Sequence, residues 1–89
     1  MKMRLMRIMV VLRNIQRTDS KKRIEADYYP DGGNDYGHIV VDFSSGDILS
    51  VTEFDGIPWK SSAVGHARSE LVKISGFEVL PKKRTVCWY

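Results

Sequence analysis

HIVVDFSSGDILSVT, residues 38–52, is the stretch on which the fold turns. Ile39, Val41 and Phe43 alternate with Val40, Asp42 and Ser44, the period of a strand with one buried side. Ser45-Gly46 then supplies a turn, with Gly46 free to take a positive φ that other residues adopt only at a steric cost. Ile48 to Thr52 returns as a β-branched run. The stretch therefore reads as a hairpin. Upstream, Ile24, Ala26 and Tyr28 alternate with Arg23, Glu25, Asp27 and Tyr29, a half-buried strand that Pro30 stops by removing a donor. The Asp-Gly-Gly-Asn-Asp connection after it is built of turn formers and leads back into the hairpin at His38, completing a three-strand meander.

Downstream, Val64, Ala67, Leu71 and Ile74 recur at helical spacing. Ser61 or Ser62 is placed to cap the first turn, and Gly76 to end the helix in a left-handed stop with Phe77 folded back on Val72. Pro81 excludes a continuation, and Thr85-Val86-Cys87-Trp88-Tyr89 has the make-up of a last strand. The N-terminal segment is the ambiguous one. On a helix its apolar residues would spread around the whole circumference. On a strand, Met6, Ile8, Val10 and Leu12 share one face and Arg7, Met9, Val11 and Arg13 the other, so residues 1–16 are read as strand with helix as the alternative. The expected fold is α+β: an antiparallel sheet of four to five strands, made of the N-terminal strand, the meander and the C-terminal strand, with one helix packed on one face.

The chain has 89 residues, 43% of them hydrophobic, 10% aromatic and 28% charged. That composition is globular, and the length leaves room for one domain, residues 1–89, with no second core. A single cysteine, Cys87, excludes an internal disulfide and suits a reducing cytoplasm. Arg4, Arg7 and Arg13 interrupt the N-terminal apolar run, so neither a signal peptide nor a membrane span is expected there.

The net charge of +3 conceals a pattern. Residues 1–23 carry eight Lys/Arg against Asp19 alone, residues 24–59 eight carboxylates and no Lys or Arg, and residues 60–89 six Lys/Arg against Glu70 and Glu78. Basic, acidic and basic blocks either neutralise one another on neighbouring strands or form separate poles that steer a partner.

Candidate chemistry is sparse. Asp27, Asp31, Asn34, Asp35 and Asp42 supply oxygen ligands, but the spacing lacks the terminal glutamate of a twelve-residue calcium loop, so turn chemistry explains them and no metal is expected. His38, His66 and Cys87 are the neutral-pH nucleophile and base candidates. A Cys-His pair also needs an orienting carboxylate and a closed pocket, which a domain of this size seldom provides. His66, one turn before Glu70, is explained by a contact along the helix. Nucleotide, dinucleotide and zinc motifs are absent from the sequence, and no cofactor is implied. The chain reads as a non-enzyme.

The residues suited to contact are Trp59, on the connection between sheet and helix, Tyr29, the basic run Lys82, Lys83 and Arg84, and the terminal Trp88 and Tyr89. Aromatic and basic groups of this kind anchor a protein partner. Cations beside rings also suit single-stranded nucleic acid, the alternative reading. An open sheet leaves an edge, which admits a second copy as partner and makes a homodimer an expected form.

The segments EADYYPDGGNDYGHIVVDFSSGDIL, GHARSELVKI and LPKKRTVCWY are similar to a group of small uncharacterised proteins from bacterial and phage-like genomes. The resemblance covers Arg23 to Tyr89. It implies a coherent small domain and a mobile-element context, and no mechanism.

Overall fold

The computed structural model describes residues 8–30, 34–52 and 60–88, with side chains described for 9–30, 34–52 and 63–87. The protein is α+β. Strands β1 (Ile8–Thr18), β2 (Arg23–Pro30), β3 (Gly37–Asp42) and β4 (Asp47–Val51) run as a meander, helix α1 (Lys60–Ile74) follows, and β5 (Lys83–Trp88) closes the chain. The strands form one antiparallel sheet in the order β4-β3-β2-β1-β5, so β5 lies beside the first strand and the connection through α1 crosses the sheet. β4 and β5 are its two edges.

Alternation decides which residues meet the helix. Val10 and Leu12 of β1, Ile24, Ala26 and Tyr28 of β2, and Ile39 and Val41 of β3 are buried against Ala63, Ala67, Leu71 and Ile74 of α1. Each large aliphatic group removed from water in this layer contributes about 1.5–3 kcal/mol. The expected helical stripe is therefore correct, with Val64 at its partly buried margin. α1 already includes Lys60, so Ser61 and Ser62 fall inside the first turn, not ahead of it. Pro30 ends β2 as its last paired residue, opposite Val10, a position where the missing N–H is tolerated.

Two departures from regularity set the faces. Between Arg13 and Gln16 the β1 register slips by one residue, and Asn14 takes a left-handed φ of 53°. This is a β-bulge, with asparagine in a conformation that it tolerates better than most residues. The bulge shifts the phase, so that Ile15 and Arg17, not the even-numbered residues, continue the helix side. At Gly37 a Cβ would lie 2.2 Å from the Thr52 carbonyl oxygen and 2.7 Å from the Tyr28 ring. Glycine here lets Tyr28 lie across the backbone and donate its hydroxyl to Thr52 O at 2.8 Å.

The end of α1 corrects the expected glycine stop. Gly76 has no left-handed φ. Instead Arg17 reaches up from β1 and donates Nη1 to the carbonyls of Ser75, at 3.0 Å, and Phe77, at 2.7 Å, while Asp19 holds its Nε at 2.8 Å. A guanidinium here satisfies free carbonyls and complements the negative end of the helix dipole. Phe77 lies under the Arg84 guanidinium, 5.6 Å from its carbon to the ring centre.

Among the described residues no helix is long and apolar enough to cross a membrane.

Candidate functional site

The side of the sheet away from α1 carries the polar chemistry. Its rows follow from the register: Lys83, Arg13, Asp27 and His38 lie opposite one another across β5, β1, β2 and β3, and Thr85, Val11 and Tyr29 form the next row. Val11 is only 6% exposed yet stands outside the cluster that packs on the helix. Its row continues into Tyr36, whose ring stacks on Tyr29 with centroids 4.9 Å apart and planes 24° from parallel. That separation equals the spacing of neighbouring strands, so the rings stand upright side by side. The Arg13 guanidinium lies over the Tyr29 ring, 5.4 Å from its centre, an arrangement worth about 0.5–1 kcal/mol at an exposed site.

Beside the rings is a charged cluster joined across three strands. His38 Nδ1 is 2.8 Å from Asp27 Oδ1, and Nε2 is 2.8 Å from Glu25 Oε1. Asp27 is directly opposite His38, and Glu25 reaches it diagonally from opposite Val40. Asn14, turned onto this face by the bulge, donates Nδ2 to the second oxygen of Asp27 at 2.7 Å. The hydrogen bond to Asp27 raises the His38 pKa above the ordinary 6.5 against the opposing effect of burial, and the bond and charge of Glu25 add to it. Burial alone would raise the Asp27 carboxyl, but bonds from Asn14 and His38 and the imidazolium charge hold it below 3.8.

The sequence candidates are divided by this geometry. Tyr29 and Lys83 share the uncovered face with Arg13, while Arg84, one residue on, points to the helix side and donates Nε to Glu70, the acid expected beside His66. Lys82 is exposed ahead of β5. Trp59 and Tyr89 lie outside the described residues, as does the side chain of Trp88. Cys87 is exposed opposite Met9, and β1 and β2 separate its strand from that of His38, about 14 Å at ordinary strand spacing. Of the oxygen-rich residues, Asp27 is bound to His38 and Asn14. Asp42 caps its own turn, accepting from the Ser44 hydroxyl and amide and from the Ser45 amide. Asp31 lies outside the described residues, and those described hold no group of three ligands able to take a metal.

The charge blocks meet at the strand pairings. Basic β1 lies beside acidic β2, with Arg13 opposite Asp27, and Arg23 of β2 is opposite Asp42 of β3. Hydrogen bonds from Ser44, outweighing slight burial, with the Ser45 amide and the Arg23 charge, keep Asp42 below 3.8. Toward β5 two positive charges are neighbours, Arg13 and Lys83.

Arg13, Asn14, Glu25 and Tyr36 were not singled out by the sequence. The signal for them is the register: once β2 and β3 are paired about their turn, Asp27 falls opposite His38. The chain matches no family model, no curated protein and no solved structure.

Proposed function

We propose that the protein is a non-catalytic protein-binding module that works through the uncovered sheet face, with Arg13, Tyr29 and Tyr36 as its anchors. The observation that carries this reading is the Arg13–Tyr29–Tyr36 stack, in which Tyr36 remains 54% exposed. Tyrosine and arginine are the residues that most often dominate the energy of protein interfaces, because each offers a broad, stiff surface with a polar end. Stacking orders these groups before a partner arrives, which lowers the entropy lost on binding. A non-catalytic role is supported by His38, whose ring nitrogens both face carboxylates, and by its separation from Cys87. The lone exposed thiol suits a reducing compartment such as the cytoplasm.

Nucleic acid is the alternative, favoured by Tyr29, Arg13 and Lys83 on one face. Glu25 and Asp27 at the middle of that face weigh against a phosphate backbone. A second copy is a further proposed partner. β5 pairs without a break along its length, whereas β4 is bulged at Leu49, opposite the step from Val40 to Val41 of β3, so β5 is the better edge for strand addition. Self-association through β5 gives a mass that rises with concentration in sedimentation; a monomer at high concentration removes it.

The test is selection of a random-peptide display library on the folded chain. Enriched peptides are expected to lose at least about tenfold in affinity on Tyr29→Ala or Tyr36→Ala. Failure to enrich, or binders indifferent to both substitutions, overturns the reading. Salt-steep oligonucleotide binding lost on Lys83→Ala replaces it with the alternative.

A further inference from the structure

His38 stands between two groups that both accept. Each carboxylate oxygen is 2.8 Å from a different ring nitrogen. Two such bonds coexist only when both nitrogens carry protons, since a neutral imidazole has one proton and one lone pair. A neutral ring in this place would set its lone pair against a carboxylate. The charged state is thus required by geometry.

Among the described residues, other groups around the ring do not replace either partner. From β1, Asn14 is spent on Asp27, Arg13 lies opposite Asp27 with its guanidinium over Tyr29, and Gln16 is opposite Glu25. On β3, Asp42 is four residues along the same face and bonded in its own turn. From the β4 end, the Thr52 amide donates to the His38 carbonyl, and Ser50 is opposite Val40, neither being ionisable.

We propose that Glu25, His38 and Asp27 form a proton-operated clamp between β2 and β3, closed while the His38 ring carries two protons and opened at its Glu25 arm as the pH rises. The Glu25 arm is the one to open because Asp27 lies directly opposite, is further fixed by Asn14 and has a side chain 18% exposed, against 32% for Glu25. The neutral ring keeps its proton on Nδ1 toward Asp27, and the Glu25 carboxylate moves off the Nε2 lone pair. Opening removes one positive charge from the face beside the tyrosine pair and leaves the Glu25 carboxylate uncompensated. This holds whether or not that face binds a protein.

The sign of the linkage follows from the directions of the shifts. A folded-state His38 value above 6.5 stabilises the fold below that pH, and the contribution is lost as pH rises through the folded value. Asp27, held below 3.8, contributes above that pH and loses its contribution as pH falls through its own folded value. The clamp is therefore strongest in mildly acid solution and fades toward alkaline pH.

The experiment is a nitrogen-15 titration of the His38 ring in the full chain from about pH 5 to about pH 9. His38 is expected to titrate above 6.5, with its neutral form protonated on Nδ1, and Glu25→Gln is expected to lower its midpoint. A wild-type midpoint at or below 6.5, a neutral form protonated on Nε2, or a midpoint unmoved by Glu25→Gln overturns the proposal. The first two readings come from the wild-type chain, so a variant that fails to fold does not shelter the idea.

Discussion

On one side of the sheet Val10, Leu12, Ile24, Ile39 and Val41 disappear beneath α1; on the other the same strands present Arg13, Glu25, Asp27, Tyr29 and His38. The first side is held by area removed from water, which is non-directional and large. The second is held by hydrogen bonds, ion pairs and stacked rings, each worth little at a partly exposed site. The difference teaches that stability is concentrated on the helix side, which under the proposed function leaves recognition to the uncovered face. Substitutions on the helix side should cost folding, and those on the uncovered side should cost contacts while leaving the fold in place.

The largest effect is expected in the helix layer. Leu71→Ala empties a fully buried position and should lower the unfolding free energy by about 2–5 kcal/mol, measured by urea denaturation. Gly37→Ala comes next, because the new Cβ would strike a backbone oxygen and the Tyr28 ring; a loss of about 1–3 kcal/mol is expected in the same assay. A neutral outcome there would show that the Thr52 backbone and the Tyr28 ring both give way to the new Cβ. Arg17→Met should cost about 1.5–3 kcal/mol through the two carbonyls that it satisfies, and hydrogen exchange at the end of α1 should accelerate.

The core half of this comparison was readable in the sequence because alternation and helical spacing are local. Ile39 and Val41, and Ala67, Leu71 and Ile74, declare their sides within a few residues. The uncovered half depends on partners brought from elsewhere in the chain. Asp27 and His38 become neighbours only through the β2–β3 register, and Asn14 joins them only because a bulge turns it onto their face. The change of buried phase in β1, from Val10 and Leu12 to Ile15, is the sequence trace of that bulge. The helix stop misled for the same reason: Gly76 is a local signal, whereas Arg17, 58 residues before Ser75, performs the task.

The smallest stability effect and the largest loss of binding are expected together on the uncovered face. The Tyr29→Ala, Tyr36→Ala double variant, followed side by side for thermal unfolding and for affinity toward peptides selected on the wild type, tests the division of roles most directly. The account predicts a Tm lowered by no more than about 10 °C and affinity reduced by at least about tenfold. A double variant that unfolds, or one that stays folded and binds as before, would contradict it.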